Sequence, residues 1–456
     1  MVRSSCVPLF WGVAVLPFAA RVALAQDPPA PPPPDAAPAP TAEASSLPPA
    51  TDDDETKKLL QELEAAERTD PLPSRSNQPP GVPDLSRVNL LGGLPGLQAL
   101  NPDIAVIADV AAAMFGVARA SAAGAPLPDD PLQTGGHDAS ESGFTLRQLE
   151  IALGASVDPY LRFDANLVFV EGVEVEEAYA TTLALPLSLQ GRAGVFLSRF
   201  GRHNEQHPHR WWFLSQPLVV GQLLGDDGNR GLGAEGSWLA PLPWAATVFA
   251  SVQESGGGCC SRTFSPVDDE PAALRSALDL VATGAVEQFF SIGDDLSLLW
   301  GLSVQLGPAQ YLDDEGRAEL WGSDLLVRYA PSAASSRWFL ELQAEAMART
   351  RHRGGSNLVR DAIVDGGAYA QLVFHPSPAL GAGLRYDWVE GDPSDVAGAG
   401  LGHGTQRGAV VLEYAPTHFS RLVAELNAGT RGQDDLLWGA IINLEVSIGA
   451  HGAHAY

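Results

Sequence analysis

The chain has 456 residues, and its 28 basic and 55 acidic side chains give a formal net charge of −27. So large an acidic excess excludes a nucleic-acid-binding protein, because a phosphate backbone requires a basic face. A hydrophobic share of 45 % with near-neutral mean hydropathy excludes whole-chain disorder and also a bundle of membrane helices. The length leaves two interpretations, several soluble domains or one large closed β-barrel.

The first 25 residues have the layout of a secretory signal peptide. Arg3 precedes an apolar stretch from Cys6 to Ala20, and the small-residue motif Ala23-Leu24-Ala25 provides a cleavage site. This stretch is shorter than the roughly 20 residues of a bilayer-spanning helix, which favours a cleaved signal over the alternative of an N-terminal membrane anchor. We expect residues 1–25 to be removed on export.

Three further segments separate the signal from the main domain. Residues 26–50 are dominated by proline and alanine, which predicts an extended, disordered spacer. Residues 51–70 predict a short periplasmic helix with acidic residues at the positive end of its dipole. Its leucines also allow a small oligomerising coiled coil. Residues 71–100 are rich in proline, glycine and asparagine, which predicts a linker.

Residues 101–456 alternate between apolar and polar side chains, which is the pattern of β-strands. Arg162, Asp164 and Asn166, for example, alternate with apolar neighbours. Segments with this alternation recur along residues 101–456 and predict about 16 strands.

The connections between the predicted strands form two sets that alternate along the chain. Long connections at 117–142, 201–230 and 255–274 alternate with tight turns such as Asp158-Pro159. This asymmetry is typical of an outer-membrane barrel, with short periplasmic turns and longer extracellular loops. The sequence therefore predicts an all-β fold, a transmembrane antiparallel β-barrel in the Gram-negative outer membrane. A soluble all-β protein of sandwiches or repeats is the alternative.

The strand register predicts which side chains face the lumen. If the apolar set faces lipid, the charged and polar set lines a water-filled pore, and its acidic majority favours cations. The alternative is a lumen that closes on its own salt bridges. The predicted pore-lining residues are Gln148, Glu150, Arg162, Asp164, Asn166, Glu174, Glu176, Arg192, Glu341, Glu345, Arg385, Asp387, Arg407, Glu413, Arg421, Glu425 and Glu445.

Three segments of the barrel region carry a resemblance to a known family. They are residues 101–110, 172–244 and 446–456, and the stretch Asn204–His209 is the most specific part. Together they resemble proteobacterial outer-membrane β-barrel proteins labelled zinc-regulated TonB-dependent outer membrane receptor. The resemblance implies an outer-membrane barrel linked by name to zinc.

The length of the chain disagrees with the TonB part of that label. A TonB-dependent transporter has a plug domain and a barrel of about 22 strands. Residues 26–100 are mostly predicted spacer, and the remaining length fits about 16 strands. We therefore expect a porin-like barrel with no plug domain.

The long connection after the fifth predicted strand carries a candidate zinc site. His203, Glu205, His207 and His209 supply imidazole and carboxylate ligands at close spacing, and Zn²⁺ accepts such ligands. A connection of this length can also fold into the lumen and narrow it. The alternative is a set of structural loop residues that bind no metal.

Other residues suggest weaker sites. Strand parity places His418, His451 and His454 together at the periplasmic rim, where they would form a metal-binding or pH-sensitive patch. Cys259 and Cys260 are adjacent in a long loop, where they would form a vicinal disulfide, bind metal, or have no function.

The sequence contains no hydrolase or phosphate-binding motif, so we expect no enzymatic activity, an outer-membrane phospholipase being the alternative. We predict a porin-like channel for passive diffusion of small hydrophilic or cationic solutes, with zinc the candidate ligand and no other cofactor expected. The alternatives are a zinc-uptake receptor that needs an energising partner, and a surface-interaction barrel with a closed pore.

Expected partners are outer-membrane lipid, small solutes or divalent cations, further copies in a homotrimer, and the barrel-assembly machinery, which would read the terminal aromatic Tyr456. Nucleic acid is not expected.

Overall fold

A computed structural model describes the barrel region of the chain. The described residues are 103–117, 132, 135–136, 138–139, 141–170, 172–225, 228–254, 262–264, 276–309, 316–332, 337–352, 363–390, 404–432 and 436–449. Several predicted features lie outside them, namely the signal peptide 1–25, the spacer 26–50, the helix 51–70, the linker 71–100, Cys259, Cys260, His451 and His454.

The described residues form sixteen antiparallel strands in one sheet, in which neighbours in sequence are neighbours in space. Strand β1 pairs with β16 and closes the sheet into a barrel, which confirms the predicted fold class. The strands are β1 Asp103–Val117, β2 Gly143–Ser156, β3 Leu161–Phe169, β4 Val173–Thr182, β5 Leu189–Leu197, β6 Arg230–Ala240, β7 Ala245–Glu254, β8 Leu280–Ile292, β9 Leu296–Pro308, β10 Arg317–Tyr329, β11 Phe339–His352, β12 Ile363–Ser377, β13 Leu380–Glu390, β14 Thr405–Thr417, β15 Ser420–Thr430 and β16 Leu437–Gly449.

Helical structure within the described part of the chain is short. One α-helix, α1, spans Leu218–Leu223. Single 3₁₀ turns occur at Pro186–Ser188, His203–Glu205, Pro208–Arg210 and Ala277–Asp279. No helix among these residues has the length and apolar character needed to cross a membrane.

The outer face of the barrel is apolar. The register sets Leu372, Leu384, Val410 and Leu426 side by side on four successive strands. These side chains are between 41 % and 63 % exposed. A continuous row of large exposed apolar side chains is unfavourable in water and favourable against lipid hydrocarbon. The period-2 alternation of the sequence therefore becomes a lipid-facing surface.

Aromatic side chains gather near the short turns. The Tyr329 and Trp338 rings lie 5.6 Å apart, and Trp338 lies 6.0 Å from Phe374. Trp244 stacks on Phe290 at 6.0 Å. Amphipathic rings favour the boundary between hydrocarbon and water, so this belt marks one edge of the membrane-facing band.

A β-bulge in β2 interrupts the regular alternation. Asp109 of β1 faces Gln148, whereas the next residue, Val110, faces Leu146, so Arg147 is an extra residue in β2. Arg147 and Gln148 are both buried inside the barrel. A bulge allows two consecutive side chains to face the same side of the sheet.

A second bulge occurs in β4. Asn166 of β3 faces Glu177 and Leu167 faces Val175, so Glu176 is the extra residue. Both glutamates are buried, and strict alternation would have placed one of them on the lipid face. The bulge thus brings two consecutive carboxylates into the lumen.

Candidate functional site

The connection between β5 and β6 folds into the barrel. We call its described residues, 198–225 and 228–229, the inner loop. Phe200, Leu218 and Val219 have no exposed surface, and α1 packs against β11, β12 and β13. Since β12 and β13 lie about half the circumference away from β5, the inner loop crosses the lumen.

Arginines of the barrel wall donate hydrogen bonds to the backbone carbonyls of the inner loop. Arg147 of β2 donates to the Leu214 carbonyl at 2.7 Å. Arg385 of β13 donates to the carbonyl and the hydroxyl of Ser215, at 2.7 and 2.6 Å. Both guanidinium groups are buried, so these charged bonds lie in a region with little water.

Two neighbouring strands continue this contact. Arg407 of β14 donates to the Gln216 carbonyl. Arg421 of β15 donates to the carbonyls of His209 and Trp211, at 3.0 and 2.6 Å. The inner loop is therefore held between His209 and Gln216 by arginines from four strands.

Carboxylates of the wall accept the N–H groups of the same loop. Glu425 of β15 accepts from the backbone nitrogens of Leu214 and Ser215, at 2.6 and 3.2 Å. Glu345 of β11 accepts from the backbone nitrogen of His203 at 2.7 Å. The barrel thus satisfies both kinds of backbone group on the loop.

Irregular backbone buried inside a barrel needs such partners, because each unpaired group costs about 1–3 kcal/mol. The sequence predicted that the inward charges line a water-filled pore. The structure instead places one set of them against the inner loop, with no more than 7 % of each residue exposed. This set is Glu341, Glu345, Arg385, Asp387, Arg407 and Glu425.

A second predicted group forms a charged triad beside the loop. Arg421 lies 3.3 Å from Glu413 and 3.4 Å from Glu445. Because Arg421 also holds loop carbonyls, the two glutamates balance its charge and position it.

Between the inner loop and the short turns, the lumen contains a cavity of about 450 Å³. Asp103, at the start of β1, and Arg210 of the inner loop line it and are exposed, so the cavity opens to solvent at the end where β1 begins. The predicted pore-lining residues on its wall are Glu150, Arg162, Asp164, Asn166 and Arg192.

The remaining predicted lining residues lie elsewhere. Gln148 is buried and donates to Glu150 at 2.5 Å. Glu174 is ion-paired with Arg230, with 46 % of its side chain exposed near the long-loop end of β4.

Two histidines of the inner loop meet carboxylates of β2 and β4. His207 Nδ1 lies 3.0 Å from Glu176, and its Nε2 lies 3.0 Å from Glu177. His209 Nδ1 lies 3.2 Å from Glu150, and the two imidazoles stack with centroids 5.7 Å apart. We call these five residues the His–Glu cluster, and none of them is more than 6 % exposed.

The pKa values of the two imidazoles of the cluster are shifted in opposite directions. Burial disfavours the charged form of His207, but Glu176 and Glu177 outweigh it and hold the pKa of His207 well above its ordinary 6.5. At His209 burial prevails over the attraction of Glu150, and its pKa is lowered.

The predicted zinc set of four loop residues is divided in the structure, because two of its members have other partners. His203 packs on Trp211 with ring centroids 4.4 Å apart, and burial together with the charge of Arg385 lowers the pKa of His203 well below 6.5. Glu205 is ion-paired with Arg199. Only His207 and His209 come together, and their carboxylate neighbours come from strands.

Burial also perturbs Glu205. It raises the pKa of Glu205 to about 7, against the opposing charge of Arg199 and with further repulsion from Glu287. Glu205 lines the cavity, so this carboxyl titrates near neutral pH at the cavity wall.

The predicted periplasmic histidine patch has one described member. His418 is exposed in the turn between β14 and β15, at the short-turn end of the barrel. Its predicted partners His451 and His454 lie outside the described residues, so the histidine patch remains a prediction. Cys259 and Cys260 also lie outside them, and the roles suggested for this cysteine pair remain predictions.

Sequence reasoning missed Glu177 and Arg147, and both omissions come from the bulges. Regular alternation along the strand predicts that the side chains of both residues face the lipid, where a charged group is costly. The adjacent pairs Glu176-Glu177 and Arg147-Gln148 are the signal that could have identified them. Two consecutive polar residues within a membrane strand indicate a bulge.

At the other side of the inner loop, toward the long connections, the lumen contains an apolar cluster. Leu223 of α1, Leu132 from the β1–β2 connection and Phe264 from the β7–β8 connection all belong to this cluster, and each is at most 2 % exposed. Leu320 and Val389 supply the wall. Three connections therefore converge on one water-excluding core inside the barrel.

The described residues define a class of protein. They form a closed barrel of sixteen strands with an apolar outer face and a charged interior crossed by a loop. In hydrocarbon only a closed sheet satisfies all its backbone hydrogen bonds, so this is a porin-like barrel of the Gram-negative outer membrane.

Comparison with known proteins gives the family. No protein-family model matches the chain. An uncharacterised protein of Aquifex aeolicus (strain VF5) is 32 % identical over 349 aligned residues, and the match covers 71 % of this chain and 73 % of that protein. The chain belongs to the same family as this Aquifex aeolicus protein.

Solved outer-membrane barrels are similar in fold. The outer membrane channel DcaP of Acinetobacter baumannii is 14 % identical with a TM-score of 0.47, over 76 % of this chain and 96 % of that one. OprB of Pseudomonas putida is 11 % identical with a TM-score of 0.47, over 78 % and 97 %. An anion-selective porin from Comamonas acidovorans is 10 % identical with a TM-score of 0.46, over 76 % and 99 %.

Proposed function

We propose that the protein is an outer-membrane channel through which small hydrophilic solutes, and cations in preference, diffuse. The observation that carries the proposal is the cavity of about 450 Å³ inside the closed barrel, lined by ionisable side chains and open to solvent at one end. A cavity with such walls is hydrated, and it supplies the polar part of a path across the membrane.

The charge of the cavity wall supports a preference for cations. Seven acidic residues line it among the described residues, against five arginines and His207 with its raised pKa, so the acidic groups are in the majority. A local negative potential raises the concentration of cations. The acidic residues are Asp103, Glu150, Asp164, Glu177, Glu205, Glu287 and Asp324, and the arginines are Arg162, Arg192, Arg199, Arg202 and Arg210.

The inner loop is the constriction of the proposed channel. It separates the cavity from the apolar cluster at the long-loop end, and arginines hold it across the lumen. A displacement of the loop would widen the path, so the strength of this contact sets the conductance.

Single-channel conductance of the refolded mature protein in planar bilayers tests the proposal. We expect discrete openings of small conductance and, in asymmetric salt, a reversal potential of the sign that cation preference gives. A reversal potential of the opposite sign would contradict the cation preference. Complete absence of openings would contradict the proposal that the barrel is a diffusion channel.

The Arg421→Ala variant tests the inner loop as the constriction. This change removes the donor to the carbonyls of His209 and Trp211, so the loop should loosen and the conductance should rise. Arg317→Ala is the matched control, because Arg317 donates to the carbonyl of Leu278, away from the inner loop. Equal conductance of the two variants would rule out the loop as the constriction.

The apolar cluster favours a second candidate function, a surface-interaction barrel with a closed pore. Three connections converge on this core and exclude water from it. In that case neither the natural protein nor the Arg421→Ala variant conducts, and the long loops bind a partner.

The proposal retains the predicted domain organisation, with an export signal at 1–25, a spacer at 26–50, a helix at 51–70, a linker at 71–100 and the barrel at 101–456. The barrel-assembly machinery and a homotrimer remain predicted partners. Absence of enzymatic activity, zinc uptake with an energising partner, and membership of the zinc-regulated receptor group also remain predictions.

A further inference from the structure

The His–Glu cluster contains the donors of a metal site. One carboxylate oxygen each of Glu150 and Glu176 and one ring nitrogen of His207 all lie within 4.8 Å of one another. His209 adds a nitrogen 3.2 Å from Glu150. Bonds of about 2.0–2.2 Å from zinc to nitrogen and carboxylate oxygen place ligands of one ion about 3–4 Å apart. The His207–Glu176 separation of 3.0 Å and the His209–Glu150 separation of 3.2 Å fall in this range, and Glu150, Glu176 and His207 lie at most 4.8 Å from one another.

The fold supports this arrangement from three elements. Glu150 lies on β2 and Glu176 at the bulge of β4, whereas both histidines belong to the inner loop around the turn Pro208–Arg210. Strand residues on a closed barrel have little freedom, and burial excludes water that would compete for the ion. Rigid, buried donors from separate elements are what a preorganised metal site requires.

We propose that Glu150, Glu176, His207 and His209 bind a divalent transition-metal ion of the zinc class. Imidazole nitrogen combined with carboxylate oxygen is a donor set that Zn²⁺ accepts, whereas Mg²⁺ and Ca²⁺ prefer oxygen ligands alone. A bound ion would join the inner loop to β2 and β4 beside the cavity.

Glu177 has a separate role in the proposed site. His207 turns Nδ1 toward Glu176 and Nε2 toward Glu177, each at 3.0 Å. Metal-binding histidines commonly hold a carboxylate on the nitrogen that does not bind the metal. Glu177 therefore acts as a positioning residue that fixes the orientation of the His207 ring.

The competing explanation is an ion-pair network that binds no metal, in which protonated His207 alone joins the two glutamates. Metal titration separates the two explanations and does not depend on conductance, so a failure of the proposed channel leaves this test intact.

The test uses the refolded mature protein in detergent micelles, stripped with EDTA and titrated with ZnCl₂ by calorimetry. We expect one zinc ion per barrel. Glu176→Gln and His207→Gln should each weaken binding at least about tenfold, and Glu177→Gln about 10- to 100-fold as is usual for outer-shell partners.

Two matched controls come from the same elements. Glu174→Gln removes a carboxylate of β4 that is paired with Arg230, and His203→Gln removes a buried histidine of the inner loop that lies outside the cluster. Both should bind zinc like the natural protein. Binding unchanged in Glu176→Gln and His207→Gln, or absent in the natural protein, would overturn the proposal.

A second measurement needs no variant and covers the case in which a substituted barrel does not refold. Co²⁺ replaces Zn²⁺ in the stripped natural protein, and its visible absorption reports the coordination number. Intense bands of a four-coordinate ion with nitrogen ligands are expected. The weak spectrum of a six-coordinate hydrated ion would contradict the site.

Discussion

At the scale of single residues, Asp138 is a buried charge that holds the inner loop. Asp138, in the β1–β2 connection, accepts the backbone N–H of Gln216 at 2.9 Å and that of Gly135 at 3.1 Å. It therefore ties one connection to the inner loop. Burial raises the pKa of Asp138 above its ordinary 3.8, against the opposing charges of Arg407 and Arg147.

This shift gives a pH dependence of stability. Because the folded state binds the Asp138 proton more tightly than the unfolded state, the stabilisation by this proton is complete below the unfolded pKa of about 4 and is lost as pH rises through the folded pKa. We expect the free energy of unfolding of the natural protein to fall relative to Asp138→Asn as pH rises from about 4. Urea unfolding in micelles, followed by tryptophan fluorescence at a series of pH values, measures the difference. If the natural protein instead gains free energy of unfolding relative to Asp138→Asn as pH rises, the raised pKa of Asp138 is contradicted.

At the scale of elements, the β4 bulge decides the chemistry of the wall. Glu176 is the extra residue, so the register on both sides of it does not depend on its presence. Beyond the bulge, Tyr179 pairs with Gly194 in a regular ladder with β5. The strand thus has one position where a residue can be removed without turning its neighbours to the other face.

Two deletions of equal length test this account. Deleting Glu176 leaves Glu177 opposite Asn166 and inside the barrel, whereas deleting Ala178 leaves a regular strand with Glu177 on the lipid face. Since a charged side chain facing lipid is costly, the first barrel should refold and the second should refold poorly. The fraction that keeps its folded mobility on an unheated SDS gel measures the outcome. Equal yields would show that β4 has no preferred bulge position.

At the scale of the whole molecule, the closed sheet in hydrocarbon sets the stability. Leu384 and Leu380 lie on the same face of β13, and Leu384 is 59 % exposed within the apolar row, whereas Leu380 opens the strand at a short turn. Their environments differ mainly in depth within the membrane.

The Leu384→Arg variant therefore reports the depth of the barrel in the bilayer. An arginine near the midplane costs about 2–4 kcal/mol, and one near the interface about 0–1 kcal/mol. We therefore expect the free energy of unfolding to fall by about 2–4 kcal/mol in Leu384→Arg and by about 0–1 kcal/mol in Leu380→Arg. Reversible unfolding from lipid vesicles measures both, and equal losses would contradict the proposed position of the membrane.

The sequence by itself determined the barrel. Alternation along each strand and the lengths of the connections are local properties of the chain, so they are visible without knowing how distant segments meet. For that reason the strand count, the closed antiparallel sheet and the inward direction of residues such as Glu150 and Arg385 could be predicted.

Only the tertiary structure decided what the inward charges contact. Arg385 and Glu425 hold the inner loop, whereas Arg162 lines the cavity, and all three follow the same alternation. Likewise, His207 meets Glu176 and Glu177 because the inner loop folds back across the lumen and β4 gains one residue. The path of a loop through a barrel depends on contacts between segments far apart in the chain, and a bulge reverses the alternation on which sequence reasoning depends.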